Sequence, residues 1–426
     1  MLDQLSRYDS YRDTGFPWIG DVPSDWASLP LIALATPRKI SGHPKYELLS
    51  VYLDKGVIRF SDVDEKRTNT TSEDLSNYQV VEPGDFVLNN QQAWRGSVGV
   101  SVHQGLVSPA YIVLKLSEQL DPQYANYLFR DQSMVAHYLI SSKGVGTIQR
   151  NLYWPKLKRV PVFFPDLDTQ NRIVKFLDEK TAEIDAAVVK KRRLIDLLNE
   201  QKAILINRAV TKGLNPDTPM KDSGVDWIGE IPAHWDVKRA KYVFDEIDHR
   251  SATGEEELLS VSHTTGVTPR SEKNIMMFMA EDYTGSKLCQ PGDVVFNIMW
   301  AWMGALGVSE HDGIVSPSYG VFRSKEPDTF NNWYLEHLLR SWGYVQEYNR
   351  VSTGLHSSRL RLYAHMFLAM EVGFPAHAEQ DEIERETKDR LELFDQSIDA
   401  TQREISTLNE FKQTLIANAV TGKIKI

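Results

Sequence analysis

This 426-residue chain is written twice, and that duplication limits its fold more than any other feature. Trp18-Ile19-Gly20, Pro23 and Trp26 return as Trp227-Ile228-Gly229, Pro232 and Trp235. Glu47-Leu48-Leu49-Ser50-Val51 returns as Glu257-Leu258-Leu259-Ser260-Val261. Pro83-Gly84-Asp85 with Asn89 returns as Pro291-Gly292-Asp293 with Asn297, and Val107-Ser108-Pro109 with Tyr111 as Val315-Ser316-Pro317 with Tyr319. The spacing between copies stays near 210 residues throughout. A solenoid needs at least three short repeats, so two long copies mean a duplicated domain-plus-helix.

Each copy ends in a stretch with helical apolar spacing. In the first, Val174, Leu177, Ile184, Val188, Ile195, Leu198, Leu205 and Ala209 share one seam, interrupted by Thr181, Lys191 and Lys202. Gly213 and Pro216 stop it. Leu391, Phe394, Ile398, Ile405, Leu408, Leu415 and Ala419 repeat the seam in the second. Helices over 170–211 and 380–420 would each run about 60 Å at 1.5 Å per residue. Neither seam can bury a helix alone, so the two pack on each other. The cyclic order domain, helix, domain, helix makes that pair antiparallel.

The globular parts read as mixed α/β. Apolar runs such as Phe86-Val87-Leu88 and Tyr111-Ile112-Val113-Leu114 sit between Pro/Gly turns. Helical spacing covers 123–139 and 333–348. Apolar strands at 160–164 and 370–374 precede the long helices, and 213–224 is a turn-rich connector. The expectation is an α+β protein with two pseudo-repeated mixed α/β domains, 1–165 and 213–375. Two long helices, 166–212 and 376–426, separate them and pack as an antiparallel coiled coil.

Composition narrows the function. Cys289 is the only cysteine, which excludes a disulfide framework and a Cys-based zinc site. No leading signal and no long apolar run occur, so a cytoplasmic chain without membrane contact is expected. The net charge of −10 is unevenly spread. Lys plus Arg against Asp plus Glu is 17 to 17 over residues 1–165 and 10 to 8 over 166–212. It is 14 to 22 over 213–375 and 7 to 11 over 376–426, so the acid excess lies in the second half.

Catalytic motifs are missing. No Gly-rich phosphate loop follows a strand, and no Gly-x-Ser-x-Gly elbow is present. Asn215-Pro216-Asp217 lacks the second proline and the aromatic of an adenine methyltransferase loop. Pro165-Asp166 followed by Asp178-Glu179-Lys180 has a nuclease outline. Asp178 and Lys180, however, fall inside the expected helix, where they cannot sit on adjacent strands.

The charge map points instead to nucleic acid. Residues 133–165 contain no acid but carry Lys143, Arg150, Lys156, Lys158 and Arg159. The equivalent window 348–370 is again free of acids and carries Arg350, Arg359 and Arg361. Both windows hold a Gly-bearing polar loop. The first offers Lys143, Thr147, Gln149, Arg150 and Asn151; the second offers His356, Ser357, Ser358 and Arg359. Cations beside polar side chains suit phosphate contact and base-edge reading. A second candidate loop follows the Pro-Gly-Asp strand. It holds Asn89, Asn90, Gln91, Gln92, Trp94 and Arg95 in one copy and Asn297, Met299, Trp300 and Trp302 in the other. Trp94 and Trp302 are expected in the core. These loops differ while their flanks agree, which suggests two sites of one design with different targets. Lys190-Lys191-Arg192-Arg193 reads as a solvated helix face.

The whole chain resembles a type I restriction–modification specificity subunit. The residues that carry the resemblance are Asp226-Trp227-Ile228-Gly229-Glu230-Ile231-Pro232 with Trp235, the Pro-Gly-Asp strands, and Val-Ser-Pro-x-Tyr in both copies. Pro375, Glu379-Gln380 and Ile383 at the second helix start also match, whereas Thr169 replaces the usual Glu before Gln170. The resemblance implies that the globular parts are target-recognition domains and the helices a conserved spacer, without catalytic residues or bound cofactor. It implies double-stranded DNA with a bipartite asymmetric sequence as the ligand. Its implied partners are two methyltransferase subunits per chain and an endonuclease/translocase subunit. S-adenosylmethionine, ATP and Mg would sit on those partners. The rival reading is a duplicated coiled-coil scaffold that binds only protein, which leaves the two acid-free windows unexplained.

Overall fold

A computed structural model describes residues 6–43, 45–53, 55–62, 74–145, 149–273, 282–354 and 360–426, with Val145 and Gln149 described by backbone alone. The chain forms two compact units. Residues 1–191 with 402–426 make the first, and 192–401 the second. Each unit therefore takes one globular part and a share of both long helices.

In the first unit a four-stranded antiparallel sheet runs in the order Ala35–Pro37, Tyr111–Leu116, Asp85–Asn89, Val98–Val100. Phe86, Val87 and Leu88 are all buried, because both faces of this strand are covered. Val87 packs in a cluster with Leu49, Val51 and Val57 of the hairpin Leu49–Tyr52/Gly56–Arg59. Phe86 stacks on Phe129 at 4.4 Å. Gly105 has no space for a side chain, since a Cβ there would meet the Glu47 carbonyl oxygen at 2.5 Å.

The second unit repeats the plan. Its sheet runs Phe244–Glu246, Gly320–Ser324, Val294–Phe296, Leu306–Val308. Leu259, Val261 and Val267 pack with Val295, and a Cβ on Gly313 would clash with the Glu257 carbonyl. A larger core gathers Trp235, Phe244, Phe296, Tyr334, Phe367 and Ile383.

The helical stretch expected over 123–139 is two helices, Pro122–Arg130 and Gln132–Ile140. Asp131 divides them, its Oδ1 accepting from the Ser133 backbone N–H at 2.9 Å as an N-cap. The stretch expected over 333–348 is likewise Asn332–Leu339 and Trp342–Val351. The closing strands Pro161–Phe164 and Glu371–Phe374 pair antiparallel with Ala27–Pro30 and Asp236–Arg239.

Each long helix starts at a buried glutamine clamp. Gln170 donates to the Pro165 and Gln119 carbonyls at 2.9 Å each and accepts from the Asp121 N–H at 2.8 Å. Gln380 donates to the Pro375 carbonyl at 2.9 Å and the Thr329 carbonyl at 3.0 Å, and accepts from the Asn331 N–H at 2.9 Å. The helices themselves are Leu167–Lys212 and His377–Val420. In the first unit Lys412 pairs with Asp185 at 2.6 Å and Lys191 with Glu404. One number rises as the other falls, so the helices run antiparallel. In the second unit Lys202 pairs with Asp395. Ile184, Val188, Ile405 and Leu415 are buried on the seam, whereas Ile195, Leu198, Phe394 and Ile398 are only half-buried. Among the described residues no helix is long and apolar enough to cross a membrane.

Candidate nucleic-acid interface

In the first unit the strand Asp85–Asn89 ends in a tight turn that Asn89 organises. Asn89 Oδ1 accepts from the Gln91 N–H at 3.2 Å, and its amide donates to the Tyr111 hydroxyl at 3.3 Å. A 3-10 turn Ala93–Arg95 follows, closed by Gly96 at φ 101°. At a positive φ only glycine is free of strain. Ala93 is buried beneath the turn, and Gln91 and Arg95 face out. Trp94 is half-buried rather than in the core. Its indole N–H donates to the Gln91 carbonyl at 3.0 Å, which pins the ring at the surface. The Arg95 guanidinium lies 4.6 Å and that of Arg150 5.7 Å from the Trp94 ring. These cation–π contacts gather both arginines around one ring.

Arg150 arrives from the acid-free window. That window is a hairpin rather than a simple loop: Ser142–Val145 pairs with Gln149–Leu152, with Lys143 opposite Asn151 and Gly144 opposite Arg150. Lys143 Nζ sits 3.5 Å from the centre of the Tyr153 ring. The Leu152 N–H donates to the Asn90 carbonyl at 3.1 Å. This single backbone bond stitches the hairpin to the turn. The two candidate loops of the sequence are therefore one surface carrying Gln91, Gln92, Arg95, Lys143, Arg150 and Asn151. Lys156 is used locally, donating to the Ile140 carbonyl at 2.7 Å. Thr147 lies outside the described residues, and only the backbone of Gln149 is placed.

The second unit builds the same frame. Asn297 donates to the Tyr319 hydroxyl at 2.9 Å and accepts from the Met299 N–H at 3.3 Å. Its turn Ala301–Met303 closes on Gly304 at φ 82°. Trp302, also expected in the core, is half-buried and donates to the Met299 carbonyl at 3.0 Å. Trp300 lies nearly parallel to it, centroids 6.3 Å apart at 18°. The Leu362 N–H donates to the Ile298 carbonyl at 3.0 Å, the counterpart of the Leu152 stitch. Thr353 and Arg361 exchange backbone bonds at 3.1 and 2.9 Å, which brings the exposed Arg361 beside the turn. Arg350 is held bidentate by buried Glu347, at 2.6 and 2.5 Å, so its charge is largely neutralised. His356, Ser357, Ser358 and Arg359 lie outside the described residues.

The residues with an enzymatic outline have structural partners. Asp178 accepts from the Tyr127 hydroxyl at 2.7 Å on the long helix, where Lys180 pairs with Glu183 at 2.9 Å. Asn215 Oδ1 accepts from the Asp217 N–H at 2.9 Å, an Asx turn in the connector. Sequence reasoning overlooked Tyr153, the stitches through Asn90 and Ile298, and Met303. A stitch made by backbone atoms leaves no side-chain signature. Met303 could have been found by aligning it with Arg95.

Fold and site define a duplicated mixed α/β protein, each unit of which carries a turn stitched by a backbone bond to an acid-free window and takes a share of two long helices. No protein-family model matches the chain. It is 22% identical over 373 residues to the type I restriction enzyme MjaVIII specificity subunit of Methanocaldococcus jannaschii, covering 82% of this chain and 80% of that one. It is 23% identical over 259 residues to the putative type I restriction enzyme MjaX specificity subunit of the same organism, covering 56% of each. A solved chain from a type I restriction–modification system superposes with a TM-score of 0.58 at 15% identity, covering 94% of this chain and 98% of that one. The chain is thus a homologue of the type I restriction specificity subunits, and it has the fold of that class.

Proposed function

We propose that the chain is the DNA-recognition subunit of a type I restriction–modification complex, each unit reading one half of a bipartite asymmetric site. The observation that carries this is the stitched surface of turn and hairpin. It is built on the same frame in both copies and is free of acids where the chain as a whole is acidic. Arg95 and Arg150 on the Trp94 platform, with Gln91, Asn151 and Lys143 around them, offer donors for guanine, an amide for adenine and a cation for phosphate. In the second unit Arg361 supplies the cation beside the turn, and Arg359 with His356, Ser357 and Ser358 belongs to the same window of the sequence. The subunit itself is non-catalytic. S-adenosylmethionine, ATP and Mg bind to partners, namely two methyltransferase subunits per chain and an endonuclease/translocase subunit in the cytoplasm. Exposed Val189, Leu194, Leu197 and Leu393 on the long helices support a role for those helices in holding partners.

The test is reconstitution. With its methyltransferase subunit and S-adenosylmethionine, the chain should direct adenine methylation to one split sequence, read out by methylome sequencing. The chain alone should methylate and cleave nothing. Methylation by the purified chain without a partner, or no sequence preference in the complex, would overturn the proposal.

A further inference from the structure

The two reading turns share a frame yet carry opposite chemistry. Asn89, Ala93, Trp94 and Gly96 of the first correspond to Asn297, Ala301, Trp302 and Gly304 of the second. These are the anchoring residues: the asparagine bonds to a tyrosine hydroxyl, the alanine is buried, the tryptophan donates into the turn, and the glycine has positive φ. The four positions between them all change in one direction. Asn90, Gln91, Gln92 and Arg95 become Ile298, Met299, Trp300 and Met303. The outward Gln91, Gln92 and Arg95 give way to the largely apolar Met299, Trp300 and Met303, although the scaffold beneath is kept. Met299, Trp300 and Met303 are 40%, 51% and 40% exposed, a cost that folding alone does not explain.

We infer that the Met299–Trp300–Met303 turn reads thymine methyl groups in the major groove of the second half-site, while the polar turn of the first unit reads hydrogen-bonding base edges. This rests on the chain being a DNA-recognition subunit. In the major groove the C5-methyl of thymine is the apolar group that distinguishes one base from the others, and apolar side chains recognise it by contact. The location agrees with that occupant. Leu362, next to Arg361, is bonded to Ile298, so an exposed cation able to meet phosphate flanks the apolar shelf. An apolar protein partner would have no use for that cation or for positional equivalence with Gln91 and Arg95. Near-parallel Trp300 and Trp302 make the shelf broad and stiff, with little side-chain entropy to lose on contact.

The experiment uses the full chain with its methyltransferase subunit on the target defined by methylome sequencing. Thymine is replaced by deoxyuridine, which removes only the methyl, in each half-site in turn. Each methyl contacted should be worth about fourfold in affinity, as for one buried methylene. Deoxyuridine in the second half should therefore weaken binding by about that factor, and in the first half should leave it unchanged. The variant Met299→Gln/Trp300→Gln/Met303→Arg transplants the polar chemistry onto the retained frame. It should keep its melting temperature and lose its sensitivity to deoxyuridine. Tight, specific binding with equal response to deoxyuridine in both halves would overturn the inference, as would a second half-site without an A·T pair. Loss of methyltransferase association in the variant, with the deoxyuridine response intact, would overturn it in favour of a protein-docking surface. Absence of any specific binding by the parent chain would instead overturn the DNA-recognition reading itself.

Discussion

Asn297 donates to the Tyr319 hydroxyl at 2.9 Å, and Asn89 donates to Tyr111 at 3.3 Å in the other copy. Asn89 ends one central strand of its sheet and Asn297 directly follows the equivalent strand, while the tyrosine belongs to the neighbouring strand or the turn leading into it. The pair thus ties the turn to the central strands of each unit's sheet. Replacing Asn297 with Ala removes this bond and the one from the Met299 N–H. The expected loss is about 1–3 kcal/mol, because Asn297 is only 7% exposed and its two hydrogen bonds are partly buried. Affinity for the second half-site should fall while that for the first is kept. Thermal unfolding and binding to half-site mutants measure the two effects, and unchanged recognition in Asn297→Ala would show that the turn needs no such anchor.

His137 gives a pH signature to the first unit. The ring is fully buried, edge-on to Phe16 and Trp18, and neither nitrogen has a hydrogen-bond partner among the described residues. Desolvation lowers its pKa from 6.5 to about 4. Between those values the unfolded chain binds more protons than the folded one. Stability is therefore fully present above pH 6.5 and falls as the pH drops toward 4. At pH 5 this single group should cost about 2 kcal/mol relative to pH 7. Urea midpoints of the parent and His137→Leu, compared from pH 7.5 to 5, isolate it. Parallel pH profiles would show that the ring is not buried neutral.

The helix pair separates packing from charge. Ile405 is 3% exposed on the seam, and Ile405→Ala should cost about 2–4 kcal/mol through lost burial and a residual cavity. The Asp185 carboxylate of the Lys412–Asp185 pair is exposed to solvent, so Asp185→Ala should cost less than about 1 kcal/mol. Denaturant midpoints of both variants decide the order, and a larger loss from Asp185→Ala would mean that the helices are held by charge.

The duplicated phrases made much of this molecule legible. Offset matching found the two copies, and apolar spacing found both long helices to within about three residues at each end. Periodicity missed the breaks at Asp131 and Ser341, because a one- or two-residue interruption leaves the apolar spacing of both helices intact. Asp131 caps its second helix through the side chain, whereas Ser341 breaks the helix without a side-chain cap bond. The hairpin Ser142–Val145/Gln149–Leu152 read as a loop since its glycines and polar residues carry no strand alternation. Trp94 and Trp302 were expected inside because a large aromatic usually buries. Here the indole N–H is satisfied only by a carbonyl at the surface of its own turn. The greatest loss concerned the site. Its two candidate loops stood as alternatives, although two backbone bonds, Leu152 to Asn90 and Leu362 to Ile298, make each pair one surface.

Charge reversal tests which cations on that surface meet DNA. Lys143→Glu with Arg150→Glu removes cations that now rest on Tyr153 and Trp94, both at or near the surface. Binding through the first half-site should weaken, and each lost phosphate contact should reduce the slope of log K against log salt by about 0.9. A residue that reads a base instead relaxes preference at one position, for about 1–3 kcal/mol, and leaves that slope nearly unchanged. Arg361→Glu should act on the second half-site alone. Arg350→Glu is the internal control. Glu347 already neutralises that arginine, so reversal should destabilise the second unit rather than alter the salt dependence. Titrations across salt, against targets mutated in one half at a time, distinguish these outcomes. Wild-type affinity and slope in both the Lys143/Arg150 and Arg361 variants would remove the stitched surfaces from the DNA interface.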